Sequence, residues 1–395
     1  MKPELLAPVS DFTSLRAAID AGTDSVYFGL KELNMRVTAK NFEIGDLKKI
    51  SELCHKNKVK AYLALNTIVY DEEIKHINKI LKKAKEANID AIIAWDLAVV
   101  QEARKLKIPI HLSTQASVSN IEALKFYEKL GVKRFVLARE LSLEQIKAIR
   151  KKTKAEIEVF IHGAMCVSVS GRCFTSQFVF GRSANRGDCL QPCRRKYIIK
   201  DVEEGHELEL GENCVMSAND LCTISFIDKL IEAGIDAFKI EGRQKPAEYV
   251  KTVTECYREA IDAYFNKKYS KALVENLITK LKTVYHRDFS KGFYLGKPIN
   301  EFSAPDSRAT KKKEHVGYIR NYYKKPGVAE IVVQAGRLKI GDLIMVQGPT
   351  TGVFEQKIAS MEINHKKVSE VNKGKSVGIK LKKTARQNDA VYLIK

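Results

Sequence analysis

The sequence predicts an α/β chain: a TIM-like (β/α)8 barrel with a cysteine-rich insertion after its seventh strand, followed by a small antiparallel β-barrel. Three observations carry this. Through the first 270 residues, short apolar and β-branched runs alternate with longer amphipathic stretches, as in repeated βα units around a parallel sheet. There are eight such runs, the number a closed barrel requires. Past residue 313 the pattern changes to brief apolar–polar alternation punctuated by Gly, Asn and Pro, the mark of antiparallel hairpins. An open doubly wound sheet shares the alternation and differs in closure.

The strand runs are Glu4–Pro8, Ser25–Leu30, Lys60–Asn66, Ala91–Trp95, Pro109–Ser113, Arg134–Ala138, Glu156–Ile161 and Ala237–Glu241. Between and after them, Phe12–Ala21, Ile44–Lys56, Asp71–Ala87, Leu97–Leu106, Asn120–Leu130, Ser142–Lys152, Ser225–Ala233 and Pro246–Phe265 space apolar residues by three and four, the helical period. Asn120 and Ser142 suit N-caps, and Pro246 suits a first turn. Gly22, Asn88, Gly131 and Gly234 mark helix ends before a following strand. A helical linker, Lys271–Tyr285, leads to a polar junction at Asn300–Lys313. The expected domains are a barrel over residues 1–300, with its insertion at about 162–222, and a basic β-barrel over 313–395.

The seventh connection breaks the pattern. About 75 residues separate Ile161 from Ala237, against a usual loop of about 4–6. Cys166, Cys173, Cys189 and Cys193 lie there, spaced C-x6-C-x15-C-x3-C within 28 residues. Loops after barrel strands form the active face, so the insertion places these thiols at the mouth. Such a cluster suits a metal or an iron–sulfur centre; four cysteines on structural zinc is the competing occupant, although no C-x2-C pair occurs.

The chain carries a formal charge of +20 over 395 residues. Lys311 to Lys395 holds 18 Lys/Arg against 7 Asp/Glu, a net +11. This bias points to an anionic partner such as RNA, which Tyr318, Tyr322 and Tyr323 could also stack against; a solvated Lys-rich surface would give the same total. No stretch approaches the ~20 apolar residues of a membrane span, and the N-terminus lacks a signal-peptide layout, so a cytoplasmic protein with reduced thiols is expected, without membrane partners.

Polar residues at or just past the carboxyl ends of strands define a candidate pocket: Asn66, Asp96, Ser113, Gln115, Glu140, His162, Glu241 and Arg243. Arg172, Arg182, Arg186, Arg194 and Arg195 surround the cysteines and could offset a cluster's charge or hold an anionic substrate. Gly163, Gly171 and Gly187 would let backbone approach closely. Cys54 and Cys256 fall in helical patterns and read as small buried hydrophobes, and Cys214 and Cys222 read as structural. A cysteine hydrolase would pair a thiolate with His162, but that leaves three cysteines unexplained, and no G-x-S-x-G or H-E-x-x-H motif is present.

The stretch EVFIHGAMCVSVSGRCFTSQFVFGRSANRGDCLQPCRRKY, followed by MSANDL and AFKIEGRQKPAEYV, resembles the signature of the U-32 collagenase-like peptidase family. The likeness extends through LLAPVSDFTSLRAAIDAGTDSVYFGL and FSKGFYLG, covering most of residues 1–300. It implies a [4Fe–4S] cluster on Cys166, Cys173, Cys189 and Cys193, with Cys214 or Cys222 as competitor for the fourth position. It also implies an oxygen-independent hydroxylase, forming 5-hydroxyuridine at the tRNA wobble position with prephenate or a similar small carboxylate as hydroxyl donor. The same resemblance implies alternatives: an rRNA cytidine hydroxylase, a quinone-precursor hydroxylase or the peptidase of the family's name; a non-catalytic RNA-binding Fe–S protein, or a partner subunit without its own activity, would also carry these features. The substrate-binding residues expected on this reading are Asn66, Gln115, His162, Arg186, Glu241 and Arg243.

Overall fold

The computed structural model describes residues 2–210, 216–303 and 306–395. Eight parallel strands form the barrel: β1 (Glu4–Pro8), β2 (Ser25–Gly29), β3 (Lys60–Ala64), β4 (Ala91–Ala94), β5 (Ile110–Leu112), β6 (Arg134–Val136), β7 (Glu156–Gly163) and β8 (Ala237–Ile240). Each pairs with the next except that β8 closes the ring, with Ala237 opposite both Glu4 of β1 and Glu158 of β7. Closure decides against an open sheet.

Strand parity builds two cores. Leu5, Val26, Phe28, Ala61, Leu63, Ile92 and Ala94 face outward under the helices, while Leu6, Tyr27, Tyr62, Ala64, Ala91 and Ile93 pack together inside the barrel. At the amino-terminal end of the barrel the filling becomes ionic. Arg134 Nη1 lies 2.7 Å from Glu4 and 3.5 Å from Glu158, which also takes Lys239 Nζ at 2.8 Å. Tyr62 Oη donates to Glu4 at 2.8 Å. Burial raises the Glu4 carboxyl, but Arg134 outweighs it and holds the group well below the usual carboxylate range.

The helices fall where the periodicity puts them. Asp11 caps Phe12–Asp20, accepting from Ser14 N at 2.7 Å. Asn120 and Ser142 cap Ile121–Lys129 and Leu143–Arg150. Ala247–Phe265 packs against β1 and the helix Phe12–Asp20, and Lys271–Leu281 packs beside it.

Beyond Lys313 an eight-stranded antiparallel sheet curls round its own core of Val316, Ile319, Ile331, Val346, Val377 and Val391. It rests on the helices Phe12–Asp20 and Ala247–Phe265 through Met345 and Val353 against Ala17 and Ala247. Two ion pairs fix it there, Lys313–Glu248 at 2.7 Å and Lys383–Asp20 at 2.5 Å. Among the described residues no helix is long and apolar enough to cross a membrane.

Candidate active site

The insertion lies over the carboxyl ends of the barrel strands. It contains a short helix, Thr175–Phe180, a hairpin of Tyr197–Lys200 with Glu207–Leu210, and a strand, Asp220–Cys222, that runs antiparallel to the end of β7. Three glycines seat it. Gly187 has φ +88°, and a Cβ there would fall 2.0 Å from the carbonyl oxygen of Asn34 in the loop after β2. At Gly171, φ +74°, a Cβ would meet Gln115 Cγ at 2.6 Å; at Gly163, φ +106°, it would meet the Glu241 carbonyl at 2.5 Å. The glycine faces thus press against barrel loops rather than opening backbone toward a bound group.

All four thiols, Cys166, Cys173, Cys189 and Cys193, line one cavity of about 300 Å³ that descends past Phe160 and Tyr27 to Lys239 inside the barrel. Asn66, Gln115, Glu241 and Arg243 share its walls. Burial raises the Cys189 and Cys193 thiols; the neighbouring cysteines raise them further, against Arg36 beside Cys189 and Arg194 beside Cys193. Cys173 goes the other way. Burial raises it, but hydrogen bonds with Thr175 and Ser168 prevail, Cys173 Sγ lying 3.4 Å from Thr175 Oγ1. Among the described residues no three His, Cys, Asp or Glu side chains converge on a single metal-ion position; the thiols share a wall rather than a point.

The polar frame joins distant loops. Asn66 Oδ1 accepts from Met35 N at 3.2 Å, and its Nδ2 lies 3.3 Å from Ser113 Oγ and from Gln115 Oε1. Glu241 accepts from Arg36 Nε at 3.3 Å and Nη2 at 3.2 Å. Burial raises the Glu241 carboxyl, and Arg36 with Arg139 pulls it below its ordinary value. Arg243 is 4% exposed, donates to Asn34 Oδ1 at 3.0 Å and forms no ion pair among the described residues; burial draws it down to about 10. An unneutralised buried guanidinium at a cavity wall suits an anionic ligand.

Two of the expected binding residues lie elsewhere. Strand parity would turn His162 inward with Glu158 and Phe160, but β7 shifts register against β8 between Lys239 and Ile240. That bulge turns His162 outward, among Tyr249, Tyr257 and Phe289, with Nδ1 3.3 Å from Tyr257 Oη. Arg186 pairs with Glu73 and the Ile68 carbonyl and lies over the Tyr70 ring, latching the insertion to the loop after β3. Of the other insertion arginines, Arg182 pairs with Asp188 and Arg195 covers Phe180, while Arg194 stays beside Cys193. Asp96 caps Leu97–Lys105. Cys222 is buried with Sγ 3.8 Å from Tyr257 Oη, and Cys54 and Cys256 are buried too; Cys214 lies outside the described residues. The sequence reading missed Arg36, Arg139 and Lys239, all on the cavity wall. The position of Arg36 after the second strand was the available signal for it.

Burial lowers His162 from an ordinary 6.5 to about 4, so the folded state resists a proton that the unfolded chain accepts. Stability should therefore fall as pH drops from about 6.5 to about 4, by about 3 kcal/mol from this group. Denaturant titrations of His162→Gln and wild type across that range test this: the gap between the two should narrow in acid, and a constant gap would refute it.

The sequence model of Peptidase family U32 matches residues 10–303. The chain belongs to that family. The U32 chain is 43% identical to a collagenase of Porphyromonas gingivalis, over 98% of its own length and 97% of the relative's. It is 35% identical to tRNA hydroxylation protein P1 of Bacillus subtilis, covering 91% and 87%. A 23S rRNA 5-hydroxycytidine synthase of Escherichia coli is 39% identical over 67% of this chain and 40% of that protein. Relatives of this U32 protein thus bear the names of a protease and of two RNA hydroxylation proteins.

Proposed function

We propose that this protein is an oxygen-independent RNA hydroxylase that forms 5-hydroxyuridine at the tRNA wobble position, using a prephenate-like carboxylate and a [4Fe–4S] cluster held by Cys166, Cys173, Cys189 and Cys193. The observation that carries the reading is the meeting, in one cavity, of four thiols and Arg243, which forms no ion pair among the described residues. The donor set fits the cluster chemically: four soft thiolates within electrostatic reach of one another, with no imidazole or carboxylate among them. Such a cluster supplies redox or Lewis-acid chemistry to whatever occupies the cavity.

The chain's own residues supply the rest. Arg243 holds the carboxylate of the donor, its guanidinium set by Asn34. Glu241 fixes Arg36 next to Cys189, and the Asn66–Ser113–Gln115 group presents amide and hydroxyl donors and acceptors to a polar substrate edge. The insertion lies over the mouth and supplies the thiol-bearing wall.

The collagenase-named relative favours a peptidase reading. Thiol hydrolysis needs a histidine partner, and among the described residues no hydrogen bond joins a histidine to a cysteine. Nucleoside mass spectrometry of RNA from a deletion strain separates the readings: loss of 5-hydroxyuridine from tRNA is expected, and an unchanged hydroxynucleoside profile with peptide cleavage by the pure protein would overturn the hydroxylase.

A further inference from the structure

A second, larger cavity of about 820 Å³ opens between the barrel mouth and the C-terminal β-barrel. Cys166, Cys189 and Cys193 border it as well, so the thiol-bearing wall separates a narrow chamber inside the barrel from a wide cleft between domains. The cleft's opposite side comes from the C-terminal β-barrel, through Lys313, Gln347, Asn388 and Tyr392. Seven Lys and Arg side chains line it against Asp11 and Glu241.

Besides the Arg243 assigned to the donor, two of those cations have no carboxylate partner among the described residues. Arg194 donates to the Met165 and Ala218 carbonyls and to Ser217; Lys245 Nζ sits 3.0 Å from the ring centre of Tyr285. A cluster of cations that could have been neutralised by acids, and is not, favours an anion spread over several positions. Tyr285 and Tyr392 also line the cleft, with Lys245 over one face of the first ring and Lys313 4.7 Å from the centre of the second. Cationic lining with aromatic faces is the combination that holds single-stranded nucleic acid, by phosphate contact and base stacking.

Resting on the hydroxylase reading, we propose that the interdomain cleft is the RNA site, gripping the single-stranded nucleotides on either side of the target base between the barrel mouth and the C-terminal β-barrel, while the inner chamber takes the small hydroxyl donor. The two ligands then approach the thiol wall from opposite sides. The C-terminal domain is on this view one wall of the substrate site.

Fluorescence anisotropy of the full-length protein with a labelled tRNA anticodon stem-loop tests the assignment. Lys245→Glu and Lys313→Glu should each weaken binding about ten-fold or more and flatten its salt dependence, whereas Lys373→Glu, on an exposed turn of the C-terminal domain outside the cleft, should stay within about two-fold of wild type. Matching circular dichroism and melting curves exclude misfolding. Wild-type affinity in both cleft variants, or loss in Lys373→Glu alone, overturns the proposal. So does a collagen-like peptide binding the cleft while RNA does not. Cleft-dependent RNA binding with no hydroxynucleoside formed would sink the hydroxylase reading and leave the RNA site standing.

Discussion

Cys193→Ala, purified without oxygen, should carry about a tenth or less of the wild-type iron and sulfide and form no hydroxylated nucleoside. The expectation rests on place. Cys193 stands on the wall shared by both cavities, beside Arg194 and within electrostatic reach of the other three thiols. Cys222→Ala should keep full iron and sulfide, because that thiol is buried against Tyr257 on the outer side of the barrel, where burial pushes it up to about 11. Metal and sulfide analysis of the pair decides the ligand set. Loss of iron in Cys222→Ala or Cys214→Ala with retention in Cys193→Ala would reassign the fourth position, and stoichiometric zinc without sulfide in the wild type would end the iron–sulfur assignment.

Arg134→Met should lower the stability of the protein by about 3–5 kcal/mol, read as a drop in denaturant midpoint. The guanidinium is the only cation in contact with both Glu4 and Glu158 among the described residues, and Glu158 is fully buried. Removing it leaves a carboxylate pair in the barrel with Lys239 as the sole buried counterion and the half-exposed Lys60 beside Glu4. The sign of the pH dependence follows from Glu4, whose carboxyl is held well below its ordinary 4.5. Its contribution is present above that value and lost as pH falls, so the deficit of Arg134→Met should be largest near neutrality and shrink in acid. A deficit under about 1 kcal/mol at neutral pH would show that Arg134 merely fills space.

Much of this molecule could be read from the chain, for reasons tied to particular residues. The eight strands were legible because a barrel strand such as Ala91–Ala94 is buried on both faces and must be apolar throughout. The thiol wall was legible because loops after barrel strands converge on one face, which brings Cys166 to Glu241 and Arg243 however far apart they lie in sequence. His162 was not, since one register shift between β7 and β8 reverses its side and no residue pattern announces a bulge. Nor was the fate of Arg186: a cation beside four cysteines looks like a ligand for anions until Glu73, from another loop, claims it. The interdomain cleft was hidden as well, because a surface made by two domains has no signature in either.

The seating of the insertion also bears on the order in which the protein becomes itself. Gly187 presses on Asn34, Arg36 reaches Glu241, and Gly163 abuts Glu241 in turn, so the thiol wall touches chain from the second and the last barrel strands at once. The Arg36–Glu241 and Arg243–Asn34 contacts span some two hundred residues of sequence, and neither can form before the residues just past the closing strand have been made. During synthesis, a ribosome-bound chain that has emerged only as far as its cysteines holds four thiols with no wall to sit in. The site therefore cannot be complete before the closing strand, Ala237–Ile240, is in place.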